Sequence, residues 1–511
     1  MSHWFSLTRR AMMQRTAATL ASFFPVRSFA QQARNPSNPI IEENKKAGTR
    51  DWILHESEIS FDPSTVDNHW MGPIRSSRIE GYANKLYVRQ GEEITFHVSA
   101  KPAAHYTLDF YRIGYYQGNG GRLIKSVGPL AGRDMGTPEA DPDTYLIECN
   151  WDVAHTEHIT NAWVTGFYVA KVKTTDGWAN YISFVVVDDD EHDFVFQVAD
   201  FNSHAYNRWP VHHSLYNNIE TGIDNYLGPR NVSSFRRPQA KLSQLVDLPL
   251  TLGAGEFFAW QYPFVFWAEM NGYDLTYISN MTLHDGDADE LTRAKGFLVV
   301  GHDEYWSDTM YANVRRARDL GVHMGFFCGN SVFGRLHLTP GQDGTPGLHF
   351  RRNGRLNDKD LVGSGSGTGI IGGGDWVVRD ADHWIFKDTG LTNGDRIEGI
   401  VGWECHNEVS DNIPNLKQIA YGPTNFYAWP TWENKKNGKH GTFASTYYEI
   451  PDTGNFVFNA ATCWWIYGLE GPPGWRRSTW YDCRQSSDKR VELITRNVLD
   501  EMVRRGRKGG K

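Results

Sequence analysis

From Ile79 to Val187 apolar and polar residues alternate in short runs that glycines cut. Leu86-Tyr87-Val88, Ile94-Thr95-Phe96-His97-Val98 and Tyr106 to Tyr111 read as half-buried strands. Gly91, Gly114 and Gly118-Asn119-Gly120-Gly121 supply turns between them. Trp163, Gly166 to Val172 and Tyr181 to Val187 complete the series, which predicts a β-sandwich. The acidic run Asp188 to Glu191 closes it.

After Phe194 the rhythm changes. Phe194-Val195-Phe196-Gln197-Val198 and Gly296-Phe297-Leu298-Val299-Val300 are near-continuous apolar runs, the pattern of strands buried on both faces of a parallel sheet. Between them Phe264 to Asn271 predicts a helix that Gly272 stops, followed by a strand over Tyr273 to Ile278. Ser307 to Leu320 predicts a helix capped by Ser307 and ended by Gly321, and Val322 to Phe327 the next buried strand. This order implies right-handed crossovers. A last amphipathic helix, Lys489 to Arg504, turns Val491, Ile494, Val498 and Met502 towards a core. Residues 346–460 are rich in Gly, Asn, Asp and aromatics, and Gly363 to Gly374 reads as a flexible surface loop.

At 511 residues the chain exceeds one core. The expected divisions are a targeting segment over 1–30, a sandwich over 45–190, an α/β domain over 191–345, a Gly- and aromatic-rich β insertion over 346–450, and a return to the α/β domain over 451–505 with its final helix. The net charge of −8 argues against a nucleic-acid surface. Thr8-Arg9-Arg10-Ala11-Met12-Met13, an apolar stretch from Ala17 to Val26 and Ser28-Phe29-Ala30 resemble a twin-arginine signal with its cleavage site. The stretch is too short to span a bilayer, so a periplasmic or secreted protein with no membrane span is expected. Five widely spaced cysteines contain no C-x-x-C pair, which removes zinc-ribbon and thioredoxin readings.

In an open parallel sheet, ligands bind where the strands end. The Phe297 to Val300 strand delivers Gly301-His302-Asp303-Glu304-Tyr305-Trp306 there, and its neighbour delivers Cys328-Gly329-Asn330. His302, Glu304 and Asn330 therefore face one crevice. His302 can ligate a metal or move protons, and Glu304 is a hard anionic ligand. The competing role is structural: capping the Ser307 helix and pairing with local arginines. Ser203 to Trp209, with His212, His213 and Tyr216, leaves another strand end, and its tyrosines are hard oxygen donors suited to ferric iron. Their competing role is aromatic packing over the sheet edge. Cys328 as a nucleophile lacks an exposing elbow and reads better as a small hydrophobe. Glu404, between aromatics in Gly402-Trp403-Glu404-Cys405-His406, is a further candidate acid or base.

Several of these motifs together resemble the C-terminal part of the large (beta) subunit of N,N-dimethylformamidase and its relatives, over roughly residues 78–500. They are Ile113-Gly114-Tyr115-Tyr116 with Gly118 to Arg122, Ala205-Tyr206-Asn207 with Ser214-Leu215-Tyr216, Gly301 to Trp306, and Gly329-Asn330. The resemblance implies an α/β plus all-β fold class: an N-terminal Ig-like β-sandwich, then a parallel-sheet, glutamine-amidotransferase-like α/β domain. It also implies a mononuclear ferric iron (Fe3+) held by a glutamate and two tyrosines. Glu304 is the implied glutamate and Tyr206 one tyrosine, with His302 and Asn330 in catalysis or substrate positioning. The family's Ser-Ser-x-x-Arg-Pro segment stands here as Val232-Ser233-Ser234-Phe235-Arg236-Arg237-Pro238, with Val232 where a tyrosine is expected. Tyr262, or Tyr216 as its substitute, takes the second tyrosine's place in this reading. Asp303 stands where the formamidase has proline.

The function expected is metal-assisted hydrolysis of a small amide or another C–N bond. His302 with Glu404 would move protons, and Asn330 would stabilise the oxyanion. A homo-oligomer or a small partner subunit is the expected assembly. The alternatives are a secreted binding protein, with carbohydrate stacking on some of its 19 tryptophans, and thiol catalysis through Cys328.

Overall fold

The alternating N-terminal segments form two sheets around one apolar core. The computed structural model describes residues 38–67, 72–216, 230–241, 257–367, 371–426, 441–478 and 483–507; the targeting segment read over 1–30 lies outside the described residues. Ile79–Ala83, Glu93–Ala100 and His155–His158 make a three-stranded sheet. Ala104–Ile113, Gly166–Thr174 and Ala179–Val187 form the centre of a five-stranded one. Phe96 and Val98 of the first meet Leu108, Phe110 and Phe184 of the second. Side chains alternate across a strand, so Gly166–Thr174 serves two cores. Tyr168, Ala170 and Val172 face the sandwich interior, while Phe167 and Val169 pack into the larger core beyond.

That larger core surrounds a nine-stranded mixed sheet. Leu275–Ser279, His192–Val198, Ala294–Gly301, His323–Cys328 and Phe456–Asn459 lie side by side and parallel. Gly441–Glu449, Lys417–Phe426, Gly372–Val377 and Arg396–Val401 continue the sheet antiparallel. The expected 346–450 insertion thus supplies strands to the same sheet as the α/β part. The chain is a mixed α/β structure, rich in strands.

Helices follow the expected periodicity. Ser307 Oγ accepts from the Met310 amide at the start of Asp308–Asp319, and Gly321 leaves with φ +97°, a left-handed exit suited to glycine. Lys489–Arg505 is capped by Asp488 and buries Val491, Ile494, Val498 and Met502, as its spacing requires.

One expectation fails. The 363–374 stretch is not a surface loop where it is described: Ser364-Gly365 pairs with Glu408-Val409, and Ser364 is fully buried. Ser364 Oγ donates to the Ala444 carbonyl, which anchors the stretch against the sheet. Its residues 368–370 lie outside the described set. The five cysteines are all buried. Among the described residues no helix is long and apolar enough to cross a membrane.

Candidate active site

The register of the parallel strands brings the chemistry together. Gly301 pairs with Cys328, so His302 to Glu304 and Gly329 to Asn330 leave the sheet as neighbours. The His192–Val198 strand runs into the short helix Asp200–Tyr206, which adds Asn202 and Tyr206 from the other side. Gly402 to His406 follows the Arg396–Val401 strand and is tied to the strand ends by the Cys463 N–H to Glu404 carbonyl hydrogen bond, 3.2 Å. Gly329 is required at this crossing, because a Cβ there would lie 2.2 Å from the Glu404 carbonyl oxygen.

Two groups of side chains face one another across His302. In the first, His302 Nε2 lies 2.6 Å from Glu404 Oε2, and Asn330 Nδ2 donates to the same oxygen at 2.9 Å. Asn202 Nδ2 donates to His302 Nδ1 at 3.3 Å, which leaves the imidazole proton on Nε2, the nitrogen nearer the Glu404 carboxylate. In the second, the Tyr206 hydroxyl donates to Glu304 Oε2 at 2.7 Å. The Tyr216 hydroxyl lies 2.8 Å from that of Tyr206 and 3.3 Å from both Glu304 oxygens. Tyr305 hydrogen-bonds Tyr216 from the far side. Arg352 Nη1 reaches the hydroxyls of Tyr216 and Tyr305 at 3.5 and 3.4 Å and stands 3.7 Å from Glu304 Oε1. The two groups meet at 4.0 Å, His302 Nε2 to Glu304 Oε2.

Burial sets the electrostatics. It pushes the Glu304 carboxyl up, against the attraction of Arg352 and with added repulsion from Glu404. Burial first and Glu304 second hold the Tyr206 and Tyr216 phenols well above their ordinary range. Asp303, beside Glu304, is pushed to about 6 by burial although Gln197 and Asn280 donate to it.

A buried relay holds Asn330 in place. Asn330 and Val332 adopt φ +45° and +59°, unfavourable for side chains with a Cβ and costly for a β-branched one. Between them the Ser331 N–H donates to His406 Nε2 at 3.0 Å, and His406 Nδ1 faces Asn459 Oδ1 at 3.2 Å. Burial lowers the His406 ring to about 4, so it is neutral and Nδ1 donates.

His302, Glu304, Asn330, Glu404, Tyr206 and Tyr216 are therefore one constellation. Tyr262 is not part of it. Tyr262 is the first residue of the helix Tyr262–Met270, and its phenol donates to the Gly120 carbonyl at 2.7 Å, among Trp52, Phe257 and Phe258. The substitute Tyr216 occupies the position at Glu304. Cys328 is buried, its thiol pushed up by desolvation and donating to Ser331 Oγ at 3.0 Å. Tyr305, Arg352 and Asn202 were not foreseen. Tyr305 follows Glu304 directly and was within reach of the motif. Arg352 sits in an unremarkable basic strand, His349–Arg355, and only the tertiary fold places it.

The donor set fits a small, highly charged cation. Among the described residues no three His, Cys, Asp or Glu side chains converge as ligands, so an ion at Glu304 would need phenolate donors. One carboxylate and two phenols with oxygens 2.7–3.3 Å apart form the hard oxygen set that ferric iron favours. No curated protein matches the chain. Residues 107–479 match the family described as N,N-dimethylformamidase beta subunit-like, C-terminal, and the chain belongs to that family.

Proposed function

We propose that this protein is a hydrolase of small amides, N,N-dimethylformamidase-like in chemistry, with Fe3+ held by Glu304, Tyr206 and Tyr216. The observation that carries the reading is the convergence of Glu304 and two phenols on one side of His302, with Glu404 and Asn330 on the other. When bound, ferric iron would polarise the amide carbonyl or acidify water.

The chain's own residues do the rest. The His302–Glu404 pair accepts the proton of the attacking water and returns it to the leaving amine as the C–N bond breaks. Asn330 orients Glu404 with one amide hydrogen and offers the other to the oxygen that gains charge. Asn202 fixes the His302 tautomer. A small partner subunit or a homo-oligomer, and export to the periplasm or beyond, belong to the same proposal. The carbohydrate-binding alternative has less support, since no described tryptophan is exposed.

The test is amine release from a panel of N-alkylated formamides and acetamides by iron-loaded full-length protein. Release that Glu404→Gln removes supports the reading. An iron-loaded protein that cleaves no amide contradicts it.

A further inference from the structure

The Ser-Ser-x-x-Arg-Pro motif has no role in the chemistry above, yet it holds a costly residue. Arg237 is 2% exposed. Among the described residues no carboxylate forms an ion pair with it, and its Nε makes no hydrogen bond within the protein. Burying an unpaired cation is unfavourable unless its hydrogens are well placed. Burial lowers Arg237 to about 9, so it remains charged at neutral pH.

Its bonds all go to one place. Nη1 donates to the carbonyls of Trp209 and His213 at 3.0 and 2.6 Å. Nη2 donates to the His204 carbonyl at 3.2 Å and to Ser233 Oγ at 2.6 Å. These carbonyls lie two residues before Tyr206, three after it, and three before Tyr216. The motif's neighbours complete a collar. Asn207 Nδ2 donates to the Pro238 carbonyl at 2.8 Å, Asn231 Nδ2 to the Ser214 carbonyl at 3.0 Å, and the Leu215 amide to the Ala205 carbonyl at 3.0 Å. Ser233 pairs with Phe350 on the strand that carries Arg352.

We infer that Arg237 is a positioning residue that clamps the 204–216 segment so that both phenols meet Glu304. A planar fork can address three carbonyls and a hydroxyl at once, whereas an ammonium is a point donor. Val232 offers no phenol here, and the motif serves this chain by holding the tyrosine segment. What the phenols then do rests on the metal reading above; the clamp itself does not.

The test uses full-length Arg237→Lys, Arg237→Met and Ser233→Ala. Amide hydrogen exchange of metal-free protein is the first readout, and the visible band on ferric titration the second. We expect faster exchange confined to 204–216, with the strands at 79–187 unchanged. We also expect ferric affinity to fall roughly 10–100-fold and the band to shift at equal iron occupancy. Native exchange at 204–216 in Arg237→Lys overturns the clamp. If the arginine variants do not fold, Ser233→Ala decides: a smaller rise confined to 204–216 supports it, and no change overturns it. A wild-type protein without a ferric band refutes the metal reading alone, and the exchange data still judge the clamp.

Discussion

Glu269 and Glu304 are both buried carboxylates with tyrosine hydroxyls and an arginine close by, and they are treated in opposite ways. Glu269 is saturated. Arg112 binds it through Nη2 at 2.7 Å and Nη1 at 3.3 Å, Tyr277 donates at 2.7 Å, Asn44 at 3.0 Å and the Tyr115 amide at 3.1 Å. That network joins the sandwich strand Ala104–Ile113 to the helix Tyr262–Met270. Around Glu304 the arginine stands off at 3.7 Å and two phenols crowd one side. Asn202 Oδ1 and Asn330 Oδ1, close at hand, are buried without a hydrogen bond in the protein. Such orphaned acceptors cost about 1–3 kcal/mol each. The same residue types therefore build a saturated joint at one place and, at the other, the candidate site with its hydrogen bonds incompletely made. The difference lies in how completely the hydrogen bonds are made.

The largest effect that sharpens this comparison is catalytic. His302→Gln and Glu404→Gln should each lower kcat by roughly 10²–10⁴ while the urea midpoint stays near wild type. Next comes stability. Arg112→Met leaves Glu269 buried and unpaired and should cost about 3–5 kcal/mol in urea unfolding. Glu304→Gln should cost under about 1 kcal/mol and still abolish ferric binding, because it removes a charge that burial already disfavours. Equal destabilisation by the two variants would break the comparison.

A second joint supplies a pH effect. His192 lies 3.0 Å from Asp188 and 2.9 Å from Asp274. Burial lowers its ring, but the two carboxylates outweigh this and raise it from 6.5 to about 9. The protonated ring thus adds stability that is full below about pH 6.5 and is lost as pH rises through 9, amounting to at most about 3 kcal/mol. Thermal midpoints measured from pH 6 to 10 should fall across this window in wild type and flatten in His192→Asn. The smallest effect belongs to Tyr305→Phe. It removes one hydrogen bond to Tyr216, so the ferric band should shift with less than about tenfold loss of affinity, at the mild end for outer-shell partners.

Much of the fold was legible because burial leaves a pattern. The runs Phe194–Val198, Phe297–Val300 and Val322–Phe327 became central parallel strands, since only strands covered on both faces are apolar throughout. The strand-end rule then placed His302, Glu304 and Asn330 together. What stayed hidden depended on tertiary pairing. The helix Asp200–Tyr206 is too short to show a period, and nothing local distinguishes Tyr216 from Tyr262. Glu404 is 74 residues from Asn330 in sequence, and it approaches His302 across a backbone crossing that only glycine at 329 leaves room for. The aromatic runs of 346–460 concealed antiparallel strands whose faces are both buried, so alternation was lost.

The proposed function stands or falls on ferric iron at Glu304, Tyr206 and Tyr216. Metal analysis with a visible absorption spectrum of freshly purified, untagged protein tests it most directly. The expected result is one iron per chain and a tyrosinate-to-iron charge-transfer band that Tyr216→Phe shifts and Glu304→Gln removes. Iron-free protein without a band after reconstitution, or a band indifferent to both substitutions, would contradict it.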